Sequence, residues 1–311
     1  MTDKTKVYTV VVTYNGEKWI RKCLATIYSS TIKTGVVIVD NNSNDDTLNI
    51  VEKEFPEVIL LKQPKNLGFG AANNLGICHA LKNSADFVFL LNQDAYLQPD
   101  TLKKLIDVSN NNREFAIISP IHLNGNASKV DKKFSNYIKI NDVLFYDAIK
   151  GDFSKPIYHI PFVNAAAWLL PRKTLETIGG FDPIFYHYAE DDNYCQRVLY
   201  HGLKIGVVPN CYIQHDRESR PANTEINHYN LILRERQLKC KWANINVEVF
   251  EEIDNQKKYL KTLLFKLFIK FKFKKLHYYK NELALINRIA PEIFKSRNIN
   301  LKQGRHYLNN E

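Results

Sequence analysis

The stretch Phe87–Asp100, FVFLLNQDAYLQPD, restricts the possible folds more than any other. It opens with five apolar residues that do not alternate with polar ones. That pattern marks a strand buried on both faces. Such strands belong to sheets covered by helices on either side, and those sheets are largely parallel. Three polar residues follow at once, Asn92, Gln93 and Asp94. Ligands of open α/β sheets bind outside the carboxyl ends of the strands, so Asp94 falls where a ligand would be met.

The same pattern precedes it three times. KVYTVVVTYN reads as a strand ending at Thr13, Tyr14 and Asn15. GVVIVD is a second buried strand ending at Asp40, and EVILLKQP is a third. Between them, Trp19, Cys23, Leu24 and Ile27 recur at helical intervals, DDTLNIVEKEF opens with an acidic turn that suits a helix dipole, and a helix follows the glycine-rich turn at Gly68 and Gly70. A β-α-β-α-β-α-β series predicts a Rossmann-like, mostly parallel sheet flanked by helices, with right-handed crossovers. Beyond Asp100 the pattern predicts a helix, a strand in FAIISPIHLNGN, and then a polar, aperiodic segment over residues 124–160 that reads as a variable or mobile loop. Order returns with PFVNAAAWLLPRKTLETIGGFD, followed by loop, helix, glycine turn and strand up to His215. Residues 225–311 are mostly helical in period.

A chain of 311 residues accommodates one large domain, or one domain and a tail. The formal net charge of +10 divides it. Residues 1–230 carry 25 Lys and Arg against 25 Asp and Glu, whereas residues 231–311 carry 18 against 8. We therefore expect a neutral α/β domain over 1–230, the part that would carry any catalytic site at the strand ends, and a helical, basic extension over 231–311. No apolar run approaches the roughly 18 to 20 residues that span a bilayer. The start, MTDKTKVYTVVVTYN, has no charged leader or apolar signal core, so the expected compartment is the cytoplasm. The five cysteines are scattered and never spaced C-x-x-C, which reads as reduced thiols.

Several residues are candidates for chemistry, each with a structural alternative. Asp40 and Asp94 end strands of one sheet, where a carboxylate can bond a ribose or a base edge, or ligate a hard cation. Strand-end acids also cap helices. Gly68 and Gly70 let backbone approach a ligand at a helix start, although such turns are often only turns. In YAEDDNYCQR, Glu190, Asp191 and Asp192 open a helix, either complementing its dipole or presenting a general base beside Tyr186, His187 and Tyr188. His215 ends the last core strand, and Arg217 and Arg220 beyond it suit phosphate oxygens or plain solvent.

Together, VVTYN, VIVDNNSNDDT, KNLGFGAANNLGI, LLNQDAYLQPD, GGFDPIFYHYAEDDNYCQR and the late QHD, in this order, resemble family 2 glycosyltransferases, inverting enzymes of the GT-A fold. The resemblance covers roughly residues 6–235, and the nearest subgroup is rhamnosyltransferase-like. It implies that Thr13, Tyr14 and Asn15 line the nucleotide pocket, with Asp40 on the base or ribose and Asn66 and Gly68 close to the nucleotide. Asn92, Gln93 and Asp94 occupy the Asp-x-Asp slot, with Asn92 in place of the first acid. Asp94 and His215 would then hold a divalent metal, Mg or Mn, on the donor diphosphate, with Arg217 nearby. Asp191 matches the catalytic base, with Glu190 beside it. The implied partners are a nucleotide-diphosphate-sugar donor and a glycan or lipid-linked acceptor of bacterial surface polysaccharide. Rival readings of the same residues are a nucleotidyltransferase and a degenerate sugar-nucleotide binding module.

LKTLLFKLFIKFKFKKLHYYK, residues 260–280, carries seven lysines and six aromatics. As one helix it is imperfectly amphipathic after Phe268. It reads either as a helix packed on the catalytic domain or a homodimer partner, or as a contact with an anionic membrane surface, which would place the protein on the inner face of the cell membrane. Nucleic acid is disfavoured, because no recognition motif accompanies the lysines.

Overall fold

The computed structural model describes residues 5–217 and 230–308. Arg220 lies outside the described residues. The first half follows the expected alternation: β1 (Val7–Thr13), α1 (Ile20–Tyr28), β2 (Gly35–Asp40), α2 (Thr47–Glu54), β3 (Ile59–Lys62), α3 (Phe69–Lys82) and β4 (Phe87–Asn92). Next come β5 (Ala95–Leu97), α4 (Thr101–Asn111), β6 (Phe115–Asn124), α5 (Phe134–Ile138), α6 (Asp142–Lys150), β7 (Tyr158–His159), β8 (Ala167–Pro171), α7 (Arg172–Thr177), α8 (Glu190–Tyr200) and β9 (Lys204–His215). The chain closes with α9 (Leu231–Trp242), α10 (Phe250–Ile269) and α11 (Phe273–Asn300).

All nine strands form one sheet in the order β3-β2-β1-β4-β8-β6-β9-β5, with β7 paired to β9. β1 lies parallel to β2 and β4, β2 to β3, and β6 to β9; β8 is inserted antiparallel between β4 and β6. The register aligns Thr13 with Asp40 and Val12 with Asn92, so three strand ends finish level. The strand order reverses between β1 and β4, which makes their carboxyl ends the switch point where such sheets bind ligands.

Period-two alternation divides the core between the faces. Val10, Val37, Leu90 and Trp168 pack on one side, and Val11, Ile38, Phe89 and Leu169 on the other, all fully buried. Each such side chain contributes ~1.5–3 kcal/mol by leaving water. This two-sided burial is why the strands read as unbroken apolar runs.

The segment 124–160 is not the irregular loop its composition suggests. It holds α5, α6 and β7. Phe134 is fully buried and stacks on His122 at 4.4 Å. Asp131 accepts from the amide of Phe134 and so starts α5, while Asn141 caps α6 through the amide of Leu144 and Gly151 ends it in the left-handed region.

Helices α9, α10 and α11 build a separate apolar cluster around Trp242, Leu260, Ile286 and Ile293. The chain then returns to the first core. Leu308 is buried there, and its carbonyl accepts from Cys78 Sγ at 3.0 Å. Gly179 (φ 81°) passes so close to the backbone of His306 that a Cβ would sit 2.3 Å from its carbonyl oxygen. Among the described residues no helix is long and apolar enough to cross a membrane.

Candidate active site

The level strand ends gather most of the expected donor residues. Asp40, almost fully buried, accepts from Thr13 Oγ1 at 2.9 Å and from Ser43 through both its hydroxyl and its amide. Thr13 is buried and supports Asp40, whereas Tyr14 is exposed. Gln93 forms a two-bond clamp on the Tyr14 backbone, accepting from its amide at 3.0 Å and donating to its carbonyl at 3.1 Å. Asn15 receives the amide of Asn44. The β1, β2 and β4 ends are thus stitched into one rim.

The glycine-rich turn joins that rim from below. Asn66 accepts from the Gly68 amide and from Asn41 Nδ2, and Asn41 also accepts from the Leu67 amide. Asn41 is a buried organiser that sequence reasoning missed, although it directly follows Asp40. At Gly68 (φ 82°) an added Cβ would lie 1.8 Å from the Tyr186 carbonyl oxygen. The aromatic loop before α8 therefore closes directly on this turn, and the Tyr186 hydroxyl donates to the Asn66 carbonyl.

Asp94 and His215 meet because β5 pairs antiparallel with β9 in a register that sets Ala95 opposite His215. His215 Nε2 stands 3.5 Å from Asp94 Oδ1 and 3.5 Å from Asn92 Nδ2. Behind them lies His122, missed in the sequence, whose ring meets His215 edge-on at 5.9 Å. Burial, with the nearby His215 and Arg217 charges, keeps His122 neutral by lowering its pKa well below the usual value. Arg217 is not open to solvent as a phosphate clamp. Its guanidinium forks onto Asp131, with Nε to Oδ2 at 2.8 Å and Nη2 to Oδ1. Burial, the largest single influence, would raise Asp131, but the Arg217 hydrogen bond, the Phe134 amide and the Arg217 charge together outweigh it and hold the carboxyl below its ordinary range.

The acidic helix start lies within electrostatic reach of the Tyr137 hydroxyl, as Arg217 does. Tyr137 links the two sides: burial raises its pKa to about 12, and its hydroxyl feels Arg217 and Asp131 on one side and Asp191 and Asp192 on the other. Gly70 on α3 approaches Glu190, with a Cβ placed 3.6 Å from that of Glu190. Tyr188 (φ 68°) and Ala189 (φ 71°) are both left-handed, a strained pair of non-glycine residues directly before the acids. Burial, then the Asp192 charge, pushes Asp191 up to about 6. Burial, then the Asp191 and Asp192 charges, pushes Glu190 up to about 8. At neutral pH Asp191 is the ionised member of the pair and Glu190 the protonated one. Outside them, a cleft of about 470 Å³ between α8 and α9 is lined by Tyr188, Asp192, Gln196 and Arg236, with the Arg236 guanidinium 4.7 Å from the Tyr188 ring centre. Arg236 carried no signal in the sequence beyond its charge.

The raised Glu190 couples stability to pH. A folded pKa above the unfolded one means the folded state holds the proton, so stability is fullest below about 4.5 and declines as pH rises to about 8. Glu190→Gln should abolish that decline and gain a few kcal/mol at the alkaline end, read as a higher urea midpoint there and a much smaller change in acid.

Strand ends meeting at a switch point opposite an acidic helix start are the arrangement of GT-A glycosyltransferases, and solved structures of that fold superpose on the chain. TarS of S. aureus, residues 1–349 with UDP-GlcNAc, aligns with a TM-score of 0.57 at 17% identity, covering 98% of this chain and 90% of that one. The mannosyltransferase PcManGT of Pyrobaculum calidifontis, with GDP-Man and Mn2+, aligns with a TM-score of 0.53 at 18% identity, covering 96% and 74%. The sequence then fixes the family: residues 8–179, more than half of the chain, match glycosyl transferase family 2. The chain belongs to that family and is a glycosyltransferase. It is similar to the dTDP-rhamnosyl transferase RfbF of Shigella flexneri, at 25% identity over 223 residues, 68% of this chain and 69% of that protein. It is also similar to the N-acetylglucosaminyl-diphospho-decaprenol L-rhamnosyltransferase of Mycobacterium tuberculosis, at 23% identity over 250 residues, 73% and 81% of the two chains.

Proposed function

We propose that the chain moves a sugar, of the rhamnosyl class, from a nucleotide-diphosphate-sugar to a glycan or lipid-linked acceptor of bacterial surface polysaccharide, with inversion. The observation that carries this reading is the meeting of Asp94 with His215 at the switch point, and the electrostatic reach of both Arg217 and Asp191 to Tyr137 supports it. The names of the two rhamnosyltransferase relatives support the sugar and the lipid-linked acceptor.

In this reading Tyr14 and Asp40 receive the nucleoside, and Asn66 and Gly68 bring backbone against it. Asp94 and His215 fit a divalent metal: a carboxylate oxygen and an imidazole nitrogen already converge, and no third His, Cys, Asp or Glu joins them among the described residues. Two protein ligands suit Mg or Mn, which fill their shells with water and substrate phosphate oxygens. When bound, such an ion would neutralise charge growing on the departing diphosphate. Arg217 is held on the same side by Asp131, a neutral pair that shapes that wall of the site. Asp191 takes the proton of the acceptor hydroxyl as its oxygen attacks the anomeric carbon and the bond to the diphosphate oxygen breaks. One displacement inverts the centre, so no covalent nucleophile is needed. Protonated Glu190 can donate to an acceptor oxygen without competing for its proton. Residues 1–230 act as the catalytic domain. The basic extension 231–311 holds the enzyme against an anionic membrane from the cytoplasmic side, where a lipid-linked acceptor would be found.

The test is incubation with dTDP-, UDP- and GDP-sugars and a lipid-linked acceptor, with and without Mn2+. Release of a nucleoside diphosphate with a glycosylated product supports the reading; no such release, with pyrophosphate released instead in a parallel incubation with nucleoside triphosphates and sugar 1-phosphates, would contradict it. Asn92 gives a second handle. Asn92→Asp adds a carboxylate beside Asp94 and His215, and should tighten Mn2+ about tenfold (~1.4 kcal/mol) in a titration with nucleoside diphosphate present.

A further inference from the structure

The apolar residues that spoil a single amphipathic helix over 260–280 have a structural explanation. The stretch is a helical hairpin. α10 ends at Ile269, Lys270–Lys272 form the turn, and α11 begins at Phe273. Leu260 is buried in the cluster with α11 and Leu267 is buried too, but Phe268, Phe271 and Phe273 at the tip are 63%, 76% and 58% exposed, with Phe265 and Ile269 exposed beside them. Phe271 also holds a left-handed backbone (φ 52°), a conformation that strains a phenylalanine. Its ring gains no burial within the chain. Nine lysines and no acid lie between Asp254 and Glu282. None of the nine is in an ion pair among the described residues.

We propose that this hairpin tip is the membrane-docking element: Phe268, Phe271 and Phe273 enter the headgroup region of an anionic bilayer end-on, and the surrounding lysines engage the lipid charges. The inference rests on the membrane reading above and names the element responsible. Charge selects the occupant. An apolar tip ringed by unpaired cations matches a negatively charged lipid surface. Another exposed apolar strip, Val143, Tyr146 and Ile149 on α6, has Asp142 beside it and no such excess. Geometry allows the contact. Arg234 in the first turn of α9 bonds Glu282, and the nine residue steps from Glu282 back to Phe273 extend α11 roughly 14 Å past that level. An apolar element buries roughly 5–10 Å into the headgroup boundary, so the tip can enter while α9 stays in water.

The experiment is co-sedimentation of the full chain with phosphatidylcholine vesicles, with and without phosphatidylglycerol. Wild type should bind only the anionic vesicles and release at high salt. Phe271→Gly combined with Phe273→Ser should weaken binding at least tenfold. Glycine relieves the left-handed position, so this variant should melt no lower than wild type. Equal binding by wild type and variant would overturn the tip and leave the membrane reading standing. Failure of wild type to bind either vesicle would overturn both. A wild-type dimer that the variant converts to monomer, without vesicle binding, would assign the tip to a second copy instead.

Discussion

Asp191→Asn should lower kcat by about 10²–10⁴-fold and leave the affinity for the nucleotide-sugar donor nearly unchanged. The amide keeps the shape of the side chain and the bond from the Asp192 amide at 3.0 Å, but it cannot accept the hydroxyl proton. The pH profile separates the two neighbouring acids. With Asp191 as base, wild-type kcat/KM rises through about 6; with Glu190 as base it would rise through about 8. The opposing results are just as informative. Wild-type turnover in Asp191→Asn would remove the base assignment. A parent that binds donors yet turns over none would support the binding-module reading that Asn92 motivates.

Asp182→Ala should cost about 3–5 kcal/mol, seen as a large fall in the urea midpoint. Asp182 is buried, and its carboxylate accepts from Ser296 Oγ at 2.5 Å, Asn300 Nδ2 at 2.8 Å, the Tyr307 hydroxyl at 3.1 Å and the Ile184 amide at 3.1 Å. It also offsets the charge of Arg197, a buried guanidinium that donates to the carbonyls of Ile178 and Gly180. Removing the carboxylate strands that charge and three donors on α11 and the segment after it. Asp182→Asn should cost much less, since an amide oxygen still accepts. A small effect of the alanine would show that the network is water-accessible.

What could be read from the sequence follows from how local each signal is. The buried strands β1, β2 and β4 announce themselves by unbroken apolar runs, and their common ends at Thr13, Asp40 and Asn92 follow once they are parallel. β5 is invisible because its three residues are ordered by pairing with β9, more than a hundred positions away. Arg217 looked like a free cation because its partner Asp131 lies 86 residues back, inside a segment whose polar composition hid two short helices. The period of α10 and α11 was legible, but the break at Lys270–Lys272 was not. No glycine or proline marks that turn.

The return of Leu308 beneath Cys78, across 230 residues, orders events during synthesis. The first strands can pair as they emerge from the ribosome, but the pocket under α3 stays unfilled until that leucine arrives. Asp182 must likewise wait for Ser296, Asn300 and Tyr307. A nascent chain therefore cannot seat the loop between Gly179 and α8 until residues 296–307 have been made, so the segment leading into α8 is fixed only after the helical extension has formed.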